Sequence, residues 1–518
     1  MKGTSFSESE HPGQATTILT YRGIPQRWLL AVMAMLGVTM AFMMRICLGI
    51  TLTQMVKPVE NVAVKGLDYC PMAETEYTDD GNGTRTAVTS GYNNEHFDWD
   101  EETQGLVLSA FYYGYVITHV PGGLMAQKYG GKHVLGLGIL STAVLTLITP
   151  AVARLGSKQL IALRFAEGLG EGVTFPALCA LLALWTPPGE RGRLTTFVFA
   201  GVQLGNVLAN SLSGYIIYYT SGGWPNVFYF FGFTSLVWFC VWCCTVYNDP
   251  HSHPFISVEE RNYLCQTIGG TQRNCNLAPT PWKSILTSWP VWALIAAESG
   301  HGWGVYTVMT DLPKYMSDVL HFSVKQNGIY SSAPYIAQWI TSISSSVLAD
   351  WTLEKKYLDI TTVRKVFAAI GNVGPALGVI CASFVGCDGV ATIIFFTLGM
   401  ALMGFCYPSI RVNTLDLSPN YSATIMALVN GISCLPGVVS PYVAGILTTN
   451  RTVLEWRVVF WIMFGVMITS TVIYSLLGSG EQQIWDKNYI QIEDPETPKQ
   501  LQNDSKLKET DFLLLQKT

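Results

Sequence analysis

Apolar residues in this chain come in long, nearly unbroken runs, not at the alternating period of a strand. A helix needs roughly 20 mainly apolar residues to cross a bilayer. Twelve runs reach that length: 28–55, 104–126, 133–153, 159–186, 193–217 and 227–247, then 290–316, 327–349, 363–384, 390–411, 422–446 and 456–478. The pattern predicts an all-α polytopic membrane protein with twelve transmembrane helices in two six-helix halves, 28–247 and 290–478. The polar stretches are an N-terminal tail 1–27, a loop 56–102, a central loop 248–289 and a C-terminal tail 479–518. The run after residue 27 is too long for the apolar core of a signal peptide and reads as a retained first span.

Loop charges set the expected orientation, since cytosolic loops collect Lys and Arg. Lys128 and Lys132 follow the second run, Arg191 and Arg193 the fourth, and Lys355 and Lys356 the eighth, with Arg364 and Lys365 opening the ninth. The 56–102 loop is instead rich in Asp and Glu. Both termini and 248–289 are therefore expected in the cytosol, and 56–102 outside. Asn82 and Asn450 stand in glycosylation sequons on that outer side, while the sequon at Asn420 faces the cytosol and is expected to go unused.

The two halves carry a trace of repetition. Aligned without gaps, residues 105–128 and 328–351 agree at seven of 24 positions (Gly, Ser, Ala, Tyr, Ile, Thr, Ala), and both are second spans of their halves. Parallel repeats joined by a long central loop are the plan of the major facilitator fold, with the substrate site near the midplane between halves.

Composition agrees with a membrane protein and excludes other classes. Only 13% of residues are charged, against about 25% in soluble proteins, and mean hydropathy is +0.30. There is no basic domain for nucleic acid, no phosphate-binding Walker loop and no cysteine pair at zinc spacing. No catalytic residue, metal or cofactor is expected, and the partners are the bilayer and a small anionic substrate. Cys240, Cys243 and Cys244, on one apolar run, read as small core residues. Cys70 and Cys387 both fall on the outer side, but sequence cannot pair them.

The candidate chemistry lies in charges placed inside spans. In the fourth run, "RFAEGLGEGVTFPALCALLALW", Arg164, Glu167 and Glu171 are spaced i, i+3, i+7 and share one helix face. Such groups cost several kcal/mol against lipid, so they must face protein or a water-filled cavity. Gly168, Gly170 and Gly172 between them permit close helix approach or leave space for a ligand. Arg45, midway along the first run, brings the balance to two cations and two carboxylates. Protonation of one glutamate would leave the cavity positive and favour an anion, held by guanidinium forks. Proton and anion binding would then favour each other. Arg164 is expected to pair with Glu167, which makes Glu171 the better proton carrier; a purely structural Arg164–Glu167 pair is the alternative. In the seventh run His301, three residues after Glu298, could donate to an anion, carry a proton, or sit neutral against a carbonyl. Tyr112, Tyr113, Tyr115 and Tyr306 are cavity-lining or packing residues. Asp311 is expected near the outer end of its span, in contact with solvent. His119 and Asp350 are expected in helix-end or gating roles.

At these residues a family resemblance emerges. "RFAEGLGEGVTFPAL" followed by "WTPPGERGRL" (185–194) resembles the fourth-span signature of the anion:cation symporters of the major facilitator superfamily. "RICLGI" (45–50), "FDWDEETQG" (97–105), "GYVITHVPGG" (114–123), "PWKSILTSWPVWA" (281–293), "HGWGVYTVMTDLPKYM" (301–316) and "LDLSPNYSATIMALVNG" (415–431) are similar to further family segments, in order along nearly the whole chain. The family includes type I sodium–phosphate cotransporters, sialin and vesicular glutamate transporters, and the seventh-span wording resembles insect phosphate-cotransporter members. The resemblance implies that Arg45 and Arg164 serve substrate binding, that Glu167 and Glu171 serve ion or proton coupling, and that His301 stands where glutamate carriers have a second arginine. Leu108 likewise replaces a histidine of those carriers, which argues against a glutamate carrier. Gln127 stands where the general facilitator pattern often has Asp, whereas the second-half copy keeps Asp350.

The function expected is a secondary-active symporter of inorganic phosphate or a small organic anion, coupled to Na+ or H+, and not an enzyme. Substrate-binding candidates are Arg45, Arg164, His301, Tyr306 and Tyr115. Alternatives are a lysosomal or vesicular proton-coupled carrier of sialic acid or acidic amino acids, a channel-like anion pathway, and a non-transporting scaffold. The plasma membrane is the default location. "ETDFLL" (509–514) fits an acidic dileucine signal for a sorting adaptor, which would direct the chain to endolysosomal membranes.

Overall fold

A computed structural model describes residues 25–56, 70, 77–80, 84–87, 96–187, 190–272, 281–418 and 421–487. Asn82 and the 509–514 signal lie outside them. The first half comprises α1 (Gln26–Met55), α2 (Glu101–Tyr129), α3 (Gly131–Leu155), α4 (Ser157–Glu171) with α5 (Thr174–Trp185), α6 (Arg191–Tyr219) and α7 (Pro225–Thr245). A small antiparallel hairpin, β1 (Tyr77–Asp80) with β2 (Thr84–Ala87), stands in the loop between α1 and α2. The central loop holds α8 (Val258–Gln272) and α9 (Trp282–Leu286). The second half comprises α10 (Trp289–Asp318), α11 (Val324–Glu354), α12 (Ile360–Phe384), α13 (Gly389–Met403) running through a 3-10 turn and a π-turn (Tyr407–Arg411) into α14 (Asn413–Leu417), then α15 (Ser422–Ser433) with α16 (Leu435–Leu447), and α17 (Val453–Leu477). A short α18 (Ile484–Lys487) follows. The twelve spans form the two six-helix halves of the major facilitator fold.

Among the described residues, eight helical stretches are long and apolar enough to cross a membrane by composition alone. The four that fall short are α2, α6, α10 and α11. These are helices that meet the other half: α2 packs along α16, α6 along α11, and α10 against α1. Their polar residues, such as Gln203, Asn206 and Asn210 on α6, are buried where the halves meet. Large apolar side chains on other faces point out of the bundle, as a hydrocarbon solvent requires: Leu137, Ile340, Val347 and Leu476 are all exposed. Cys240, Cys243 and Cys244 are exposed on α7 as well, which corrects the expectation of core positions. In a bilayer an apolar run alone does not separate core from lipid-facing positions.

The repeat is visible in the packing. Gly105 of α2 lies against Gly445 and the Pro441 carbonyl of α16, and its repeat counterpart Gly328 of α11 lies against Gly214 of α6. Both crossings sit at the face that carries the 56–102 loop (hereafter the loop face), and a side chain at any of these glycines would collide with backbone. Helix starts there are fixed locally: Asp100 caps α2 through Thr103 N, and Ser323 with Gln326 forms a capping box on α11. A disulfide joins Cys70 of the long loop to Cys387 between α12 and α13, so the first half's loop is tied to the second half. Toward the other face the halves diverge: α16 runs along α2, whereas α15 packs on α10 and barely touches α2.

Candidate substrate and coupling site

Two buried ion pairs sit in the first half. Arg45 Nη2 of α1 pairs with Glu171 Oε1 of α4. Arg164 Nη1 pairs with Glu167 Oε2 at 2.5 Å, and Arg164 Nη2 donates to the Arg45 carbonyl at 3.3 Å. All four residues are at most 6% exposed. The guanidiniums also lie over aromatic faces: Arg45 over Phe42, Phe111 and Tyr115 at 4.5, 4.9 and 4.7 Å, and Arg164 over Phe111 at 5.0 Å. Such contacts each contribute about 0.5–2 kcal/mol and help offset the cost of burying the cations.

The two carboxylates differ in what remains open. Glu167 Oε1 accepts from Thr146 at 3.3 Å and Thr149 at 3.2 Å, so both its oxygens are engaged. Glu171 Oε2 and Arg45 Nε are buried without a partner. The expected Arg164–Glu167 pair is present, but Glu171 is also paired, to Arg45. The difference between the two glutamates is therefore the idle oxygen on Glu171 and not a missing cation. A small cavity between the halves is lined by Arg45, Arg164, Leu108, Tyr112, Met309 and Thr310 among others.

The backbone explains why these groups meet here. Pro176 has no N–H and its ring crowds the carbonyl one turn back, so the fourth span breaks into α4 and α5 directly after Glu171. The Gly172 carbonyl, denied its helical donor, accepts from His119 Nδ1 of α2 at 3.2 Å. That contact ties His119 to the break. The glycines of α4 are filled by neighbours: a side chain at Gly168 would meet the Phe111 carbonyl, at Gly170 Ser141, and at Gly172 Thr118 and the Tyr115 carbonyl. They bring α2 and α3 close to α4 and leave no ligand space of their own.

From the second half, Tyr306 reaches the same region, with its ring 4.8 Å from that of Tyr112 and its hydroxyl 3.6 Å from Cys434 Sγ. Tyr115 is buried under Arg45, whereas Tyr113 is 49% exposed and faces away. His301 is buried, with Nδ1 unpartnered, on the α10 turn next to Glu298. Asp311 is also buried, 2% exposed, with Oδ1 bonded to Thr310 and Oδ2 unpartnered. The expectation of a solvated Asp311 fails because α10 extends to Asp318, carrying residue 311 two turns inside the helix. Asn450 is exposed on the turn before α17, its amide engaged by Glu455.

Sequence reasoning missed several ion pairs, among them one at Arg411 and one at the loop face. Arg411 pairs with Glu298 at 3.0 Å. It is the last residue of the predicted run 390–411, where an arginine reads as a boundary; the helix in fact continues through a π-turn to Leu417. At the loop face, Glu101 of α2 is held by Lys314 of α10 and by Arg451 at 2.6 Å, with Asp318 3.8 Å from Arg451. These residues sit at ends of spans, where charge is ordinary and carries no signal.

Comparison with known proteins places this geometry in a family. The Major Facilitator Superfamily model matches residues 78–441. Human sialin is 39% identical over 465 residues, covering 89% of this chain and 91% of sialin. A Drosophila ananassae protein named "Putative inorganic phosphate cotransporter" is 39% identical, covering 88% and 93%. Vesicular glutamate transporter 3 of Danio rerio is 34% identical, covering 89% and 75%. Among solved structures, the D-xylose–proton symporter superposes with TM-score 0.64 at 13% identity, over 88% of this chain and 99% of that one. An inward-facing bacterial homologue of the human lysosomal transporter Spinster also gives 0.64, at 12% identity over 88% and 97%. With its fold, its span arginines and glutamates and these relatives in agreement, the chain belongs to the major facilitator superfamily, in the anion:cation symporter family of sialin and its relatives.

Proposed function

We propose that this protein is a proton-coupled symporter of small anions, working by alternating access with both termini in the cytosol. The observation that carries the reading is the Arg45–Glu171 pair beside the inter-half cavity, with one carboxylate oxygen and one guanidinium nitrogen idle. A proton on Glu171 cancels its charge and releases Arg45, whose fork can then hold a carboxylate or phosphate. Loss of the anion lets Arg45 recapture Glu171 and expel the proton. Glu167, with both oxygens engaged by Arg164, Thr146 and Thr149, and Arg164, which also donates to the Arg45 carbonyl, hold α1, α3 and α4 in place around this exchange. The names of the relatives, sialin and inorganic phosphate and glutamate carriers, support an anion as cargo. Acidic residues on the 56–102 loop and Lys128, Lys132, Lys355 and Lys356 at the opposite face support the orientation.

The test is uptake into liposomes of purified protein. Radiolabelled phosphate, sialic acid and acidic amino acids are offered under an imposed H+ or Na+ gradient. Uptake of at least one anion driven by H+, lost in Arg45→Ala, supports the reading. Glu171→Gln should keep anion exchange while losing gradient dependence. Uptake driven by Na+ alone overturns the proton assignment, and no anion uptake under either gradient overturns the function.

A further inference from the structure

The cysteines at the end of α7 take no part in transport as read above, and packing does not call for them. Cys47, Cys406 and Cys434 are buried, where a small apolar residue fits between helices. Cys240, Cys243 and Cys244 are exposed, so no neighbouring helix requires a small side chain there.

Two tryptophans fix which way α7 faces. Trp238 Nε1 donates to the Met33 carbonyl of α1 at 3.0 Å, and Trp242 Nε1 to the Lys132 carbonyl of α3 at 3.1 Å. The opposite stripe is Phe233, Val237, Cys240 and Cys244, at spacings i, i+4, i+7 and i+11. Phe233 is 63% and Val237 49% exposed, as lipid-facing apolar residues are. Large residues thus fill this stripe in mid-span, and cysteines replace them only in the last two turns.

The level of those turns is fixed as well. Lys132 Nζ donates to the Cys243 carbonyl at 3.2 Å and lies 4.4 Å from the centre of the Tyr247 ring. A lysine beside a tyrosine at a span end marks the headgroup level. The helix ends at Thr245, so at about 1.5 Å per residue Cys244 and Cys243 lie about 1.5 and 3 Å from its end, and Cys240 about 7.5 Å. This end lies opposite the loop face and is cytosolic in the orientation proposed above. Helical side chains lean toward the N-terminus, so those of Cys243 and Cys244 point from headgroups toward hydrocarbon.

We propose that Cys243 and Cys244 are S-acylation sites that accept long-chain fatty acyl groups. The cysteine sulfur attacks the thioester carbonyl of a fatty acyl-CoA. A new carbon–sulfur bond forms, the bond to the CoA sulfur breaks, and the thiol proton ends on CoA, with no net oxidation or reduction. The two sulfurs stand where the water-soluble CoA and its apolar tail would part, and the transferred tail would run along Val237 and Phe233. Cys240, another turn inside, is too deep to meet CoA. The inference rests on the cytosolic placement of this face, and not on which anion or ion is carried. Cys381 provides an internal control. It is exposed and three residues from the end of α12, but at the loop face, beside the Cys387 disulfide.

The experiment expresses the full-length protein, tagged at its C-terminus, in eukaryotic cells fed an alkyne-bearing palmitate analogue. Label on the purified protein is read before and after neutral hydroxylamine, which cleaves thioesters. The wild type should carry hydroxylamine-sensitive label, and C243S/C244S should lose at least about fivefold of it, with monodisperse elution confirming the fold. C381S and C265S should keep it, and so should C179S/C240S/C381S, which leaves Cys243 and Cys244 in place. Unlabelled wild type in cells whose other acylated proteins are labelled overturns the proposal, as does label that persists in C243S/C244S. Antibody access to the tag tests the orientation separately, and it should appear only once digitonin opens the plasma membrane. A tag reached before digitonin, or hidden after it, overturns the orientation and the proposal together. A correctly placed tag on an unlabelled protein overturns the acylation alone.

Discussion

Two of the buried charge clusters differ in which half of the molecule holds them. At the centre, Arg45–Glu171 and Arg164–Glu167 lie wholly within the first half. At the loop face, Glu101 of the first half is gripped by Lys314 and Arg451 of the second. A rocking motion of rigid halves leaves the central pairs intact, but it cannot open the loop face without breaking both contacts to Glu101. The central pairs are therefore suited to respond to ligand and proton, and the outer clamp to set the balance between conformations. The Cys70–Cys387 disulfide also crosses between the halves.

The largest expected effect comes from the centre. Arg45→Ala leaves Glu171 buried and unpaired, a cost of about 3–5 kcal/mol. Uptake should also fall, because the guanidinium that would hold the anion is gone: a loss of about 2–5 kcal/mol of binding is at least about thirtyfold at about 1.4 kcal/mol per factor of ten. Adding Glu171→Gln should recover thermal stability but not uptake. Recovery of uptake in the double variant would show that the pair is structural, and the contrast with the clamp would disappear.

Next is the clamp. Glu101→Gln keeps the shape but removes the charge that both cations share, so the population should shift toward a state open at the loop face. A cysteine placed at Ser332, which is buried and bonded to Ser211 across the halves, should react with a membrane-impermeant thiol reagent several-fold faster in this background. The background is a variant whose native exposed cysteines are replaced. Equal rates would mean that Glu101 does not hold the gate.

These two regions were not equally legible in the sequence. Arg45, Arg164, Glu167 and Glu171 stand out because a charge within an apolar run is a one-dimensional signal, and the i, i+3, i+7 spacing puts three of them on one face. Their partners were only half readable: Arg164–Glu167 is local, whereas Arg45–Glu171 closes over 126 residues. The clamp closes over 213 and 350 residues from positions where charge is common, so nothing in the local pattern marks it. The repeat at 105–128 and 328–351 carried more than its seven matches suggested, because Gly105 and Gly328 turn out to be equivalent crossing points. Arg411 was hidden by a boundary drawn one π-turn too early.

A smaller effect is expected at the break in the fourth span. His119→Leu removes the donor that the described residues give the Gly172 carbonyl, and an unsatisfied buried carbonyl costs about 1–3 kcal/mol. The apparent melting temperature should fall, and His119→Gln, which can still donate, should recover part of the loss. A fall in uptake well beyond the loss of folded protein would mean that the break itself moves during transport.

The finest test separates packing within a half from packing between halves. A methyl group at Gly168 meets the Phe111 carbonyl inside the first half, so Gly168→Ala should lower stability by about 1–3 kcal/mol in every conformation. At Gly105 the obstacle is Pro441 and Gly445 of the other half, so Gly105→Ala should cost stability only in the state closed at the loop face. Its signature is faster labelling at position 332 with little change in melting temperature, the reverse of Gly168→Ala. Gly431 has nothing within 4 Å of an added methyl, and Gly431→Ala on α15 should be neutral or stabilise by up to about 1 kcal/mol. If Gly105→Ala instead behaves like Gly168→Ala, the interface between halves at the loop face is permanent packing, and the clamp above it is no gate.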